Sequence, residues 1–291
     1  MHIKLTKNSS IEYRFLRGFI GFFRDIWYTD FMKAIKNYSV IYHDESIVVL
    51  NKVSGLLVAS DRYDKEAPRL DKLAEEEFGR LLAVHRIDKD TSGLVIYART
   101  PEAHRFLSIA FERREVHKTY HALVHGRPAW EEYTHKAKLL PDGDPRHRTV
   151  VNKRMGKESI TNFKLLGTVG PYSWIQADPV TGRTHQIRAH LQDLGISIVC
   201  DPLYSGNQKP VRLSDIKRSY RGDVFEERPL LARLGLHAYQ LSVVHPETKE
   251  RMTFTAPYHR DMDALRKQLF KLYKVDPLAQ SEEAEVSEKS E

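Results

Sequence analysis

The sequence predicts an α+β fold, with a mixed, largely antiparallel central β-sheet flanked by helices and loops. Strand-like and helical runs do not alternate regularly, which argues against a doubly wound parallel sheet. The helical runs carry their own start and stop residues, so they stand as separate elements. No segment recurs at a fixed period, which argues against solenoids and propellers.

The elements follow in chain order. Residues 47–50 form a β-rich run, and Ser54-Gly55 supplies a turn after it. Leu70, Leu73, Ala74 and Phe78 fall at helical spacing, and Gly79 ends that helix. A strand is expected over 94–98. Thr100-Pro101 then offers an N-cap with proline at the first helical position. The helix it opens buries Ala103, Phe106, Leu107, Ala110 and Phe111. Strands over 120–124, 163–166 and 172–177 come next, and 184–194 reads as a helix closed by Gly195. Residues 236–244 and 252–256 are strands, and Leu265, Leu269 and Leu272 sit on a final helix.

Composition narrows the function classes. A chain of 291 residues with 41% hydrophobic and 29% charged residues is neither collagen-like nor wholly disordered. Cys200 is the single cysteine, which excludes an internal disulfide and a multi-cysteine metal cluster and fits a reducing cytoplasm. The formal net charge is +7, and residues 278–291 hold five Glu and one Lys, so the rest of the chain stands at +11. A basic body points to a polyanionic partner, nucleic acid first.

Three segments are expected. Residues 1–37 form an N-terminal amphipathic helical extension, with Phe15, Leu16, Phe19, Ile20, Phe23, Ile26, Trp27 and Phe31 at helical spacing. Charges interrupt it too often for a membrane span, which needs about 18 consecutive apolar residues, and no membrane partner is expected. Residues 38–277 form the main domain, and 278–291 an acidic, disordered tail.

Several motifs bear chemistry. His85-Arg86-Ile87-Asp88-Lys89-Asp90-Thr91-Ser92-Gly93-Leu94 is a charged stretch running into a strand, a rigid way to hold Asp88 and Arg86, with Gly93 allowing a tight backbone path. In Thr181-Gly182-Arg183-Thr184-His185-Gln186-Ile187-Arg188-Ala189-His190-Leu191, Arg188 borders the apolar face made by Ile187, Leu191 and Leu194. A partly desolvated guanidinium there calls for a carboxylate partner. Lys118-Thr119-Tyr120 opens a strand, and its aromatic ring could pack in the core or stack on a base. Cys200-Asp201-Pro202-Leu203-Tyr204 is a turn, and Leu236 to Pro246 a strand with a proline stop. His185 and His190 lie five apart and share no helix face, and no metal-site spacing occurs.

These motifs, with Asn51-Lys52-Val53-Ser54-Gly55-Leu56 before them, resemble the RluA-type RNA pseudouridine synthase family in order and spacing. The resemblance covers roughly residues 41–258, and its stretches at 85–94 and 182–191 are long and specific. Val53 stands where proline is usual, Cys200 where glycine is common and Ala189 where valine is usual. The 1–37 extension is too short to be the small RNA-binding domain that many members carry at their N-termini.

The resemblance implies a pseudouridine synthase catalytic fold and an isomerase acting on specific uridines of ribosomal or transfer RNA. The N1–C1′ bond breaks, the uracil turns over, and C5 bonds to C1′. Asp88 is the implied catalytic carboxylate, as nucleophile or as base, and Arg188 its partner. Arg86 would fill the space left by a flipped base, Tyr120 stack on the uracil with a further role in removing the C5 proton, Ile187 give an apolar floor, and Lys118 serve as a structural or phosphate contact. Phosphate contacts are expected from two basic clusters around the Asp88 pocket. One is Arg146, Arg148, Lys153, Arg154 and Lys157, and the other Lys209, Arg212, Lys217, Arg218 and Arg221. A structured RNA stem-loop is the expected partner, with no metal and no cofactor, and a cytoplasmic monomer the expected state. Two other readings stay open: an RNA-binding protein independent of catalysis, and a base-excising glycosylase.

Overall fold

A computed structural model describes residues 37–60, 67–206 and 209–279. The expected helical extension lies outside these residues apart from Asn37, as does the tail beyond Ala279.

Among the described residues one sheet of 11 strands forms the frame. The strands are β1 (Tyr38–His43), β2 (Ile47–Lys52), β3 (Leu82–Ala83), β4 (Ser92–Ala98), β5 (His117–His125), β6 (Glu132–Leu140), β7 (Val150–Val151), β8 (Lys157–Val169), β9 (Tyr172–Pro179), β10 (Leu236–Val244) and β11 (Arg251–Thr255). Their order is β1-β2-β4-β10-β5-β9-β8-β6-β7, with β3 on β4 and β11 on β10. Every pairing is antiparallel except β10 with β4, where His237 faces Ser92 and Ala238 faces Gly93. The expected mixed, largely antiparallel sheet is therefore observed.

The helices are α1 (Leu70–Phe78), α2 (Pro101–Glu112), α3 (Gln186–Asp193), α4 (Leu213–Ile216) and α5 (Arg260–Tyr273). The Thr100 side chain accepts from the Ala103 amide at 3.1 Å and Pro101 opens the helix, as the sequence predicts. Strands β2 and β4 are buried along their whole length, which explains their unbroken hydrophobic character. Leu70 and Ala74 of α1, with Leu107 and Ala110 of α2, share that core. Met262, Leu265 and Leu269 of α5 pack with Leu123 and Trp174, and Ile187 and Leu191 of α3 with Ala122, Val124 and Ile175. Each of the Leu, Ile, Val and Met side chains among them contributes about 1.5–3 kcal/mol by leaving water.

Three expectations change. Strand β6 has no counterpart in the sequence reading, because Glu132, Thr134, Lys136 and Lys138 hide its alternation and only His135 and Leu139 are buried. Helix α3 starts at Gln186 rather than 184, because His185 takes a left-handed conformation. The body also continues past 277, since Leu278 is buried in the α5 core.

Gly93 joins the Asp88 loop to β4 at the one parallel pairing. Its φ is +110°, and a Cβ there would overlap the Ala238 backbone, whose nitrogen would lie 2.6 Å away. Gly93→Ala is expected to destabilise the protein by about 3 kcal/mol, seen as a lower midpoint in urea denaturation. An unchanged midpoint would contradict this packing.

Candidate active site

Two segments meet at the start of β5, the end of β9 and the entry to β4. The first is the loop over 84–91, clamped before and after Asp88. The His85 Nε2 accepts from the Ile96 amide at 3.0 Å, and its ring stacks on Phe111 at 4.6 Å. Burial pulls the His85 pKa down to about 3, so the ring is a neutral acceptor. Behind Asp88, the Lys89 carbonyl accepts from the Gly55 amide at 2.8 Å and from Lys52 Nζ at 2.9 Å. The Ser54 hydroxyl donates to the Asp90 carbonyl at 2.6 Å. Lys52 is fully buried and also donates to the Val53 and Leu56 carbonyls. Burial pulls its pKa down to about 7, against the attraction of Asp90 and Asp88. Ser92 is held in turn by Arg233 and His237, each 2.9 Å from its hydroxyl.

The second segment runs from Thr181 into α3. Gln186 ties its start down. Its Oε1 accepts from Thr181 Oγ1 at 2.7 Å and from the Arg183 amide at 3.0 Å, while its Nε2 donates to the Ile160 carbonyl at 2.9 Å. Two residues on, Arg188 points inward, its side chain only 1% exposed. Its Nε and one terminal nitrogen donate to Asp201 at 2.8 and 2.7 Å. The other terminal nitrogen reaches Asp88 Oδ2 at 3.4 Å.

Arg188 thus has two carboxylate partners of unequal weight. Asp201, wholly buried, takes the bidentate face, and Asp88, 22% exposed, takes what remains. Burial would push the Asp201 carboxyl up, but the hydrogen bonds and charge of Arg188, with the amides of Leu203 and Tyr204, hold it below the usual carboxylate range. Burial likewise opposes the Arg188 charge, and Asp201 and then Asp88 hold its pKa above the ordinary arginine value. Asp201 was quoted in the sequence only as part of a turn. A carboxylate thirteen residues after a desolvated arginine was the available signal.

Between the segments opens a cavity of about 540 Å³. Asp88, Tyr120, Ile187 and Arg188 line it, as do Arg86, His185 and Lys118. Arg183 and Arg114 also line it and were not singled out in the sequence. Burial and then the Asp88 charge push the Tyr120 phenol well above its usual pKa, so its hydroxyl stays protonated. Burial, aided by Arg114, pulls the Lys118 pKa below the usual lysine value. Among the described residues no group of three or more His, Cys, Asp or Glu could hold a metal ion, and no helix is long and apolar enough to cross a membrane.

The sequence profile described as RNA pseudouridylate synthase matches residues 46–193, about half of the chain and the stretch that holds both segments. The chain belongs to the RNA pseudouridylate synthase family. Relatives agree. The chain is 32% identical over 232 residues to the ribosomal large subunit pseudouridine synthase D of Neisseria meningitidis serogroup B, covering 77% of this chain and 59% of that relative. It is 33% identical over 218 residues to the dual-specificity RNA pseudouridine synthase RluA of Haemophilus influenzae, covering 75% of this chain and 91% of that relative. The solved structure of human RNA pseudouridylate synthase domain containing 4 superposes with a TM-score of 0.60 at 23% identity, covering 79% of this chain and 92% of that one, which shows a shared fold.

In this family member, the structure brings Arg86, Asp88, Lys118, Tyr120, Ile187 and Arg188 to one cavity, as the motifs imply. The two basic clusters do not line it. None of Arg146, Arg148, Lys153, Arg154 and Lys157 lines the cavity, and neither do Lys209, Arg212, Lys217, Arg218 and Arg221. Arg148 is instead tied to Asp144 at 2.7 Å and to the Leu203 carbonyl at 3.2 Å, so it braces the 201–204 turn. Lys153, Arg154, Lys157, Arg218 and Arg221 are exposed. The cations that line the cavity itself are Arg86, Arg114, Lys118, Arg183 and Arg188. Cys200 explains a departure noted in the sequence, since its φ of +56° is one that glycine adopts freely.

Removing Asp201 leaves the Arg188 charge buried with only the long Asp88 contact. Asp201→Ala is expected to lower stability by about 3–5 kcal/mol in urea denaturation. Because the folded carboxyl titrates below its unfolded value, its contribution is complete above the ordinary carboxylate range near pH 4 and is lost as the pH falls through the lowered folded pKa. Asp201→Asn should therefore flatten the acid limb of a stability-versus-pH curve, and an unaltered limb would contradict the pairing.

Proposed function

We propose that this protein is an RNA pseudouridine synthase that isomerises specific uridines of ribosomal or transfer RNA. The observation that carries the reading is Asp88. It is a partly exposed carboxylate on a doubly clamped loop, at the wall of a cavity and beside a buried arginine. Glycoside chemistry makes the sugar electron-poor at C1′, and a carboxylate facing that carbon stabilises it. Hydrolases usually need a second carboxylate to activate water. An isomerase keeps the departing base in the site and needs only the first.

The remaining roles follow from position. Asp88 acts on the sugar as nucleophile or base while the N1–C1′ bond breaks. The uracil turns within the cavity between Tyr120 and Ile187, and its C5 bonds to C1′ while the bond Asp88 made to the sugar breaks or the proton it took returns; the C5 proton then leaves and N1 gains one. Tyr120 stacks on the base, and burial with the Asp88 charge favours its protonated phenol. Arg188, fixed by Asp201, stabilises the charge on Asp88 throughout. Arg86 lies at the exposed rim and can occupy the gap left by the flipped nucleotide. Lys118, Arg114 and Arg183 offer positive charge to the phosphates beside it.

The name of the Neisseria relative favours ribosomal RNA as substrate. The chain spans 59% of that relative's length, so the choice of target belongs to this proposal.

The test is tritium release from [5-³H]uridine-labelled cellular RNA. Wild-type protein should release tritium, and Asp88→Ala should lower the rate by at least about a thousandfold. Asp88 keeps only a 3.4 Å contact to Arg188, so the variant should stay folded by circular dichroism. No release from any RNA, or undiminished release by the variant, would overturn the reading.

A further inference from the structure

His185 occupies a left-handed backbone position, with φ 51° and ψ 21°, which disfavours residues with a β-carbon. The strain places its ring between Tyr204 and Asp88. Nδ1 lies 3.2 Å from the Tyr204 hydroxyl, and Nε2 lies 3.9 Å from Asp88 Oδ2.

The Tyr204 hydroxyl assigns the tautomer. It has one proton, which it donates to the Thr149 carbonyl at 3.0 Å, and it accepts from the Thr149 amide at 2.9 Å. Its contact with His185 must then run from Nδ1–H to the hydroxyl oxygen. That leaves a lone pair on Nε2, turned toward the cavity that His185 lines. Burial pulls the His185 pKa below its ordinary value, against the attraction of Asp88, so the neutral ring is favoured.

Two acceptors, Nε2 and the Asp88 carboxylate, therefore face one space, too far apart to bond to each other. A donor from the substrate can satisfy Nε2. If Asp88 addresses C1′ of the target uridine, as proposed above, the nearest donor on that nucleotide is the hydroxyl on the adjacent carbon.

We propose that His185 Nε2 accepts a hydrogen bond from the ribose 2′-hydroxyl of the target uridine, and so distinguishes RNA from DNA at the reacting nucleotide. This rests on the synthase reading of Asp88. The acceptor is fixed before substrate arrives. Tyr204 holds the tautomer, and the Arg188 and Arg148 guanidinium groups lie over its ring, 5.0 and 5.7 Å from the ring centre.

The test uses a stem-loop RNA with a single [5-³H]uridine at the position found modified in cells that carry the protein, and the same stem-loop with 2′-deoxyuridine there. Wild-type protein should lose roughly tenfold in kcat/KM on the deoxy substrate, the size of one hydrogen bond. His185→Asn tolerates the left-handed backbone. It should lose about the same on the ribose substrate and show no further loss on the deoxy one. His185→Gly fits that backbone without strain and gives the same comparison should the asparagine variant melt early. An equal deoxy penalty in wild type and variants, or none in wild type, overturns the role of His185 while leaving the synthase reading intact. A contact to the uracil N3–H instead would give variants slowed on both substrates with the deoxy penalty unchanged. Absence of tritium release by wild type on the ribose substrate would overturn both.

Discussion

The buried pair between Arg188 and Asp201 is the constraint on which the rest of the site depends. A guanidinium and a carboxylate taken out of water gain little net stability from each other, because desolvation offsets most of their attraction. Their geometry matters more. Two parallel hydrogen bonds fix the plane of the guanidinium, so its third corner can point only toward Asp88. Asp201 also neutralises much of the arginine's charge. Asp88 is left with a guide rather than a tight partner, and its carboxylate stays open to the cavity.

Support for this arrangement comes from both halves of the sheet. On the β4 side, Lys52, Ser54 and Gly55 hold the backbone just after Asp88. On the other side, Gln186 and Thr181 hold the start of α3, and the 201–204 turn is gripped by Arg148 and Thr149. The two sides are joined by β10, which lies between β4 and β5. Atoms that must cooperate over a few ångströms thus sit on segments about a hundred residues apart, each locked by its own backbone hydrogen bonds.

Much of this was legible in the sequence because the signals are local. Thr100-Pro101 specifies a helix start by itself, and the strand at 236–244 is read from alternation alone. The Asp88 and Arg188 segments stand out because long motifs carry them. What stayed hidden depends on partners distant in the chain. Asp201 looks like any turn aspartate until α3 is folded over it. The left-handed His185 cannot be seen in a run that otherwise reads as helix. Strand β6, second from the sheet edge, carries too many charged residues to show its two buried positions. In the basic clusters charge density is visible in the sequence but its use is not: Arg148 is engaged internally, by Asp144 and the Leu203 carbonyl.

The position of β10 has a consequence for how the molecule is made. Ser92 and His237 are 145 residues apart, and until Leu236–Val244 arrives, the start of β4 and residues 117–122 of β5 lack a strand partner on one side. The Arg188–Asp201 pair spans only 13 residues and can form long before that. During synthesis the polar heart of the site can therefore assemble while the sheet is still in two parts, and closure waits for the last fifth of the described chain. Ribosomal stalling or truncation before residue 236 would leave two sticky strand edges, so quality control acting on incomplete chains should matter more for this protein than its folded stability alone would suggest.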